Sequence, residues 1–197
     1  MVRRRRMVRR FVDRPVDTEA LDRILDNATR APSAGFSQGW AFVVLEGDDR
    51  RTFWEHVRPD SPFDPSPGSL HAAGAIILPL AHEQAYLDRY SQPDKARFGL
   101  GDEQRWPVPY WTVDVAFATQ SMLLTVTDLG LGALFFGIFT GQDELLAALQ
   151  VPAGYAPIGA LAVGHPLPGE RSRPSLRSGR RPAAQVIHRG GWSAGSR

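Results

Sequence analysis

The sequence predicts mixed α/β layers, with four or five strands interleaved with helices around one hydrophobic core. Three observations predict this. Four short segments rich in β-branched and aromatic residues alternate along the chain with segments of helical apolar spacing. The 197 residues fit one domain, residues 1–197, because single cores commonly serve up to about 200 residues. Hydrophobic residues at 43% and charged residues at 22% exclude a disordered chain, a collagen and a simple coiled coil.

Asp17 followed by Thr18, Glu19 and Ala20 reads as a helix start, with acids at the positive end of the helix dipole. Leu21, Ile24, Leu25 and Ala28 continue at helical spacing to about Ala31, where Pro32 ends the pattern. Trp40–Glu46 reads as a strand that stops at the turn Gly47-Asp48-Asp49, and a short helix is expected around Arg50 to Val57. Residues 58–69 hold four prolines and a glycine and read as a loop. Ala72 to Leu80 is a second, buried strand despite Pro79, and Gln92 to Pro109 reads as an excursion or lid. Thr112 to Leu129, closed by Gly130, is too apolar for a surface helix and is expected at the centre of the fold. Ala133 to Phe139 is a third strand, Gln142 to Leu149 a short helix and Pro157 to Gly164 a fourth strand. The tail from His165 onward is rich in Pro, Gly, Arg and Ser and either stays disordered or ties itself to a neighbouring surface.

Several chemistries are excluded by what the chain lacks. It has no cysteine, which removes disulfides, iron–sulfur clusters, thiolate zinc sites and cysteine nucleophiles, and favours a cytoplasmic address. The apolar runs 72–81 and 129–139 fall short of the ~20 residues that span a bilayer, so no membrane partner is expected. The basic start is not followed by an unbroken apolar stretch and does not read as a secretory signal. His56, His71, His82, His165 and His188 show no ligand spacing, so no metal is expected. There is no phosphate-binding P-loop, and Gly130-Leu131-Gly132 ends a helix where a dinucleotide fingerprint would open one. Gly35-Phe36-Ser37-Gln38-Gly39 matches the G-x-S-x-G hydrolase pattern, but in the order helix, loop, strand instead of strand, turn, helix.

Charge is unevenly distributed. The net charge is +2, yet residues 1–10 hold six arginines and no acid, and residues 165–197 hold seven arginines and one acid. The body is correspondingly acidic. Two Arg-rich ends are solvated arms, nucleic-acid contacts, or two halves of one anion site brought together by folding.

Arg5-Arg6-Met7-Val8-Arg9-Arg10-Phe11 and, about 25 residues later, Ala31-Pro32-Ser33-Ala34-Gly35-Phe36-Ser37-Gln38-Gly39-Trp40 resemble the start of the FMN-dependent nitroreductase family. There, Arg-Arg-Ser-x-Arg-x-Phe precedes Pro-Ser-x-x-Asn-x-Gln-Pro-Trp. The resemblance continues through Gly130 to Phe139, the Pro157 to Pro166 segment ending Gly-His-Pro, and Arg180-Arg181-Pro182 to His188 and Trp192. It implies an α+β fold: a three-layer α/β/α sandwich around a mixed, mainly antiparallel sheet. Residues 1–10 would be a basic N-terminal segment, and residues 166–197 a C-terminal extension exchanged in a homodimer.

The same resemblance implies the site. Arg5, Arg6, Met7 and Arg9 would meet the FMN phosphate from one end of the chain, and Arg180, helped by Arg177 or Arg181, from the other. Guanidinium forks suit a phosphate, which would explain the split charge. The backbone of Pro32, Ser33, Ala34, Gly35 and Phe36, reaching from the second subunit, would line the flavin ring, and Gly137 and Ile138 would offer an N–H to flavin N5. No side chain is then expected to be catalytic, since the flavin supplies the chemistry. Phe36, Trp106, Tyr110 and Trp111 would form an aromatic wall for flat substrates such as nitroarenes or quinones; alternatively, the cluster at 106–111 is a packed cap on the central helix. The expected reaction is ping-pong, with NAD(P)H reducing the flavin and an acceptor reoxidising it in the same pocket.

Two positions depart from the family pattern. Met7 stands in place of Ser, and Phe36 in place of Asn. An aromatic at the second position resembles the flavin-cleaving dimethylbenzimidazole synthase branch, which carries Asp where this chain has Met7. A non-catalytic flavin-binding or storage protein is a further alternative, and a basic-armed nucleic-acid binder a third.

Overall fold

A computed structural model describes residues 1–57, 68–169 and 179–192. The chain divides into two units, Met1–Leu167 and Pro168–Arg197. The larger holds β1 (Phe11–Val12), α1 (Thr18–Thr29), β2 (Trp40–Glu46), α2 (Arg50–His56), β3 (Ala75–His82), α3 (Gln84–Ser91), α4 (Tyr110–Asp128), β4 (Gly132–Phe136), α5 (Gln142–Ala148), β5 (Tyr155–Pro157) and β6 (Ala160–Pro166).

The strands form one sheet in the order β1-β6-β3-β2, with β4 also on β6 and β5 also on β3. Every strand pair is antiparallel. The longest ladder runs from Trp40 opposite Ala81 to Glu46 opposite Ala75.

Period-two alternation sends successive residues of each central strand to opposite faces. Ala75 and Ile77 of β3, with Leu161 and Val163 of β6, meet Ile24 and Ala28 of α1 and Ala118, Met122 and Val126 of α4. Ile76, Leu78 and Leu80, with Ala160 and Ala162, face the other way onto Phe11, Phe53 of α2 and Leu145 of α5. The sheet is therefore covered on both faces, as a three-layer sandwich requires. Pro79 is tolerated in β3 because a proline still offers its carbonyl, which accepts from Ile158 N at 3.1 Å.

Helix α4 buries three polar side chains, Asp114, Thr119 and Thr125. The threonines satisfy themselves: Thr119 Oγ1 donates to Val115 O at 2.8 Å and Thr125 Oγ1 to Ser121 O at 2.9 Å. Asn27 of α1 donates to Thr125 Oγ1 at 3.0 Å, which fixes the α1–α4 register. Asp114 has no such internal solution.

The strand expected over 157–164 is interrupted between β5 and β6. Gly159 has φ +143°, and a Cβ there would lie 2.6 Å from Phe136 O, so only glycine fits this bend. Gly141, which precedes α5, is tighter still: φ is +71° and a Cβ would overlap the His56 carbonyl at 1.8 Å. Gly141→Ala is expected to cost about 1–2 kcal/mol for the left-handed backbone and about 1–3 kcal/mol for the overlap. A denaturant midpoint measured against wild type checks this.

Within the second unit, Ala183–Gln185 forms a 3-10 turn, Arg181 Nη2 donates to Gln185 O at 3.1 Å, and His188 stacks on Trp192 at 4.1 Å.

Candidate active site

The segment between α1 and β2 is held in a conformation the chain would not adopt alone. Gly35, Phe36 and Gln38 have φ of +62°, +57° and +50°. Positive φ is unfavourable for a side-chain-bearing residue and persists only where the surroundings enforce it. Phe36 nevertheless stands 76% exposed, so its own burial does not enforce the strain.

Three neighbouring groups do. Asp114 of α4, 3% exposed, accepts from Ala34 N at 2.8 Å and from Tyr86 Oη at 2.9 Å, both on Oδ2. Arg89 of α3 donates from Nε to Gly35 O at 2.8 Å. Tyr90 packs so closely on Gly35 that a Cβ there would lie 2.7 Å from its ring. Locally, Ser33 Oγ accepts from Gln38 N at 3.1 Å and Ser37 Oγ donates to Ala34 O at 2.7 Å. Ser37 thus closes a turn that leads into a strand, without the helix that follows a hydrolase nucleophile.

Burial, and secondarily the Asp114 carboxylate, push the Tyr86 phenol well above its ordinary pKa. Tyr86 therefore remains a hydrogen-bond donor throughout the physiological range. The pair forms a buried post on which the loop is tied.

The aromatic cluster is both a cap and a neighbour of this loop. Trp106 lies 4.9 Å from Tyr90, 5.6 Å from Tyr110, 5.9 Å from Trp111 and 6.0 Å from Tyr86, measured between ring centroids. Its indole N–H donates to Leu100 O at 2.8 Å, which anchors the excursion over the start of α4. Through Tyr90 the cluster touches Gly35. The structure thus brings Gly35 and Trp106 to one locality.

The N-terminal arginines reach the sheet through β4. Met7 forms a parallel bridge to Ala133, and Val8 N donates to Ala133 O at 2.8 Å. Gly132 must be glycine here, because a Cβ would fall 2.9 Å from the Val8 side chain. The Met7 side chain packs half-buried against both hydrophobic clusters, and Arg9 Nη1 donates to Met7 O at 3.4 Å. Arg6 is exposed. Arg5 is different: its Nη1 is buried and has no hydrogen-bond partner. A buried guanidinium nitrogen without an acceptor is costly unless an anion meets it. This orphan fits a phosphate oxygen.

At the far end of β4, Gly137 and Ile138 follow Phe136. The Phe139 ring, 90% exposed, folds over Gly137 so closely that a Cβ there would meet it at 2.7 Å. The strand expected to run to Phe139 stops at Phe136, where the backbone leaves the ladder. Four residues of strand, ~13 Å, separate Ala133 from Gly137. Pro32 and Ser33 open the strained loop, Arg180 and Arg181 belong to the second unit, and Arg177 lies outside the described residues.

Asp114, Tyr86, Arg89 and Tyr90 are absent from the sequence reading. One signal was available: Asp114 is the only charged residue between positions 112 and 127, inside an otherwise apolar helix. A carboxylate there must be met by buried donors.

Among known proteins, the family model described as nitroreductase matches residues 2–165. A protein of Methanothermobacter thermautotrophicus, provisionally named NADH dehydrogenase/NAD(P)H nitroreductase, is 27% identical over 176 residues, covering 86% of this chain and 78% of its own. The 5,6-dimethylbenzimidazole synthase of Rhodospirillum rubrum is 29% identical over 184 residues, covering 83% and 82%. A crystal structure from Desulfovibrio desulfuricans, provisionally named a nitroreductase and in complex with FMN, superposes with a TM-score of 0.69 at 27% identity, covering 98% and 95%.

Proposed function

Because the chain belongs to the nitroreductase family, we propose that it is an FMN-dependent oxidoreductase that takes hydride from NAD(P)H and passes it to a flat acceptor such as a nitroarene or quinone. The observation that carries this reading is the buried, unpartnered Nη1 of Arg5 in a cationic segment bridged to β4. FMN bound there supplies reversible two-electron chemistry at N5.

The chain's own residues do the rest. Arg5, with Arg6 and Arg9, holds the phosphate. Gly137 and Ile138 would present backbone N–H groups to the flavin edge. The strained loop from Pro32 to Phe36 offers its backbone to the ring face. Trp106, Tyr110 and Trp111 stiffen the wall of the pocket and exclude water from it. None of these side chains needs to take or give a proton.

The active form in this reading is a homodimer. Phe117, 48% exposed, and Tyr110, 37% exposed, leave the outer side of α4 partly apolar and suited to burial against a second copy.

The purified protein is expected to be yellow and to bleach anaerobically on addition of NADPH or NADH. A yellow protein that neither nicotinamide bleaches would overturn the reductase reading. The exposed Phe36 and the likeness to 5,6-dimethylbenzimidazole synthase favour flavin cleavage as the second reading. Met7 argues against it, since its side chain carries no exchangeable proton and packs into the core. Recovery of intact FMN after aerobic turnover excludes cleavage; a fragmented flavin ring establishes it.

A further inference from the structure

The excursion between α3 and α4 carries charges that the flavin site does not use. Within it, each acid is engaged. Asp94 accepts from Arg89 Nη1 and Nη2 at 2.9 and 2.8 Å, which holds it below the usual carboxylate range. Asp102 accepts from Gln104 N at 3.0 Å. Glu103 faces Glu83, whose carboxyl is raised by burial and then by this like charge.

Three cations, Lys95, Arg97 and Arg105, make no ion pair among the described residues, and the first two rest on aromatic rings. Lys95, the only lysine of the chain, places Nζ 5.7 Å from the centroid of Tyr90 and 5.8 Å from that of Phe98. Arg97 lies 4.9 Å from the same Phe98 ring. A cation resting on a ring keeps its N–H donors outward, with its stem already ordered, and so loses little freedom when an anion arrives. Tyr90 also contacts Gly35, so one ring joins the lysine to the strained loop.

We propose that Lys95 and Arg97, arranged on Phe98, form an anion-binding rim that takes the phosphate groups of the dinucleotide reductant while its nicotinamide enters over the Gly35 loop. This rests on the oxidoreductase reading. A flat ring tethered to phosphates is the ligand chemistry that suits two ring-supported cations joined through Tyr90 to the Gly35 loop. Arg89 is not part of the rim, because its guanidinium is committed to Gly35 and Asp94.

The test uses flavin-loaded protein and the double variant Lys95→Gln/Arg97→Gln. NADP+ is titrated and its Kd read from the perturbation of the flavin absorbance. Anaerobic reduction is then followed with NADPH and with N-benzyl-dihydronicotinamide, a hydride donor without phosphate. The Kd for NADP+ is expected to rise about tenfold or more, as for loss of charge-assisted phosphate contacts. Flavin content and the rate with the phosphate-free donor should stay at wild-type values. Added salt should weaken NADP+ binding in wild type and scarcely in the variant. An unchanged Kd overturns the rim, and so does an equal loss with the phosphate-free donor, which would mean a damaged lid. Should neither donor reduce the flavin of wild type, the reductase reading fails, while the NADP+ titration still decides the rim.

Discussion

Arg5→Ala is expected to yield a folded protein that is nearly colourless after purification. Arg5 Nη1 is buried without a partner, so the substitution removes no internal hydrogen bond and relieves an unsatisfied donor. Stability should hold or rise slightly. If the missing partner is the FMN phosphate, the same change deletes a charge-assisted contact worth about 1.5–3 kcal/mol, or roughly a tenfold to hundredfold loss of affinity. Opposite movements of stability and flavin content distinguish a ligand-binding arginine from a structural one. Retention of wild-type flavin content in Arg5→Ala, measured by absorbance after denaturation, would contradict the assigned grip.

The second large effect falls on Asp114. Asp114→Ala strands two donors, the part-buried Ala34 N and the buried Tyr86 Oη, at about 1–3 kcal/mol each. For a chain of this size that lowers Tm by roughly 4–24 °C. It also frees the loop carrying Gly35 and Phe36, so flavin affinity should fall with stability. Asp114→Asn keeps an acceptor oxygen in place and is expected to recover most of both. In the double variant Asp114→Ala/Tyr86→Phe, one stranded donor is gone, and the cost should be smaller than the sum of the single costs. Thermal melts of the four proteins check this, and additive losses would show that the carboxylate does not act through the phenol.

The parts of the fold that were legible in the sequence are those whose signal is local. β2 runs over Trp40–Glu46 as its β-branched, aromatic pattern requires, and α4 was visible from a long, mostly apolar pattern closed by a glycine. Elements supported from elsewhere in the chain were not legible. β1 is two residues long and exists because Phe11 and Val12 pair with Pro166 and His165, over 150 positions away. α3 buries only Tyr86, so it offers no apolar periodicity to read. β3 begins at Ala75, after a 3-10 turn over Leu70–Ala72, because backbone geometry and not composition decides where the ladder opens.

The site divides in the same way. The arginines and the Pro32–Phe36 segment stand out in the sequence because their residue types and order resemble a known family. Asp114, Arg89 and Tyr90 were not, because each acts on the loop from a distant element through one carboxylate, one guanidinium or one ring edge.

The account depends most on the claim that arginines grip a phosphate. Titrating apoprotein with FMN and with riboflavin, which share the ring and differ by that group, tests the claim directly. Wild type should bind FMN at least about a hundredfold tighter than riboflavin, the scale of two charge-assisted contacts. The ratio should fall roughly tenfold to a hundredfold in Arg5→Ala. Equal affinity of wild type for the two flavins would contradict the account.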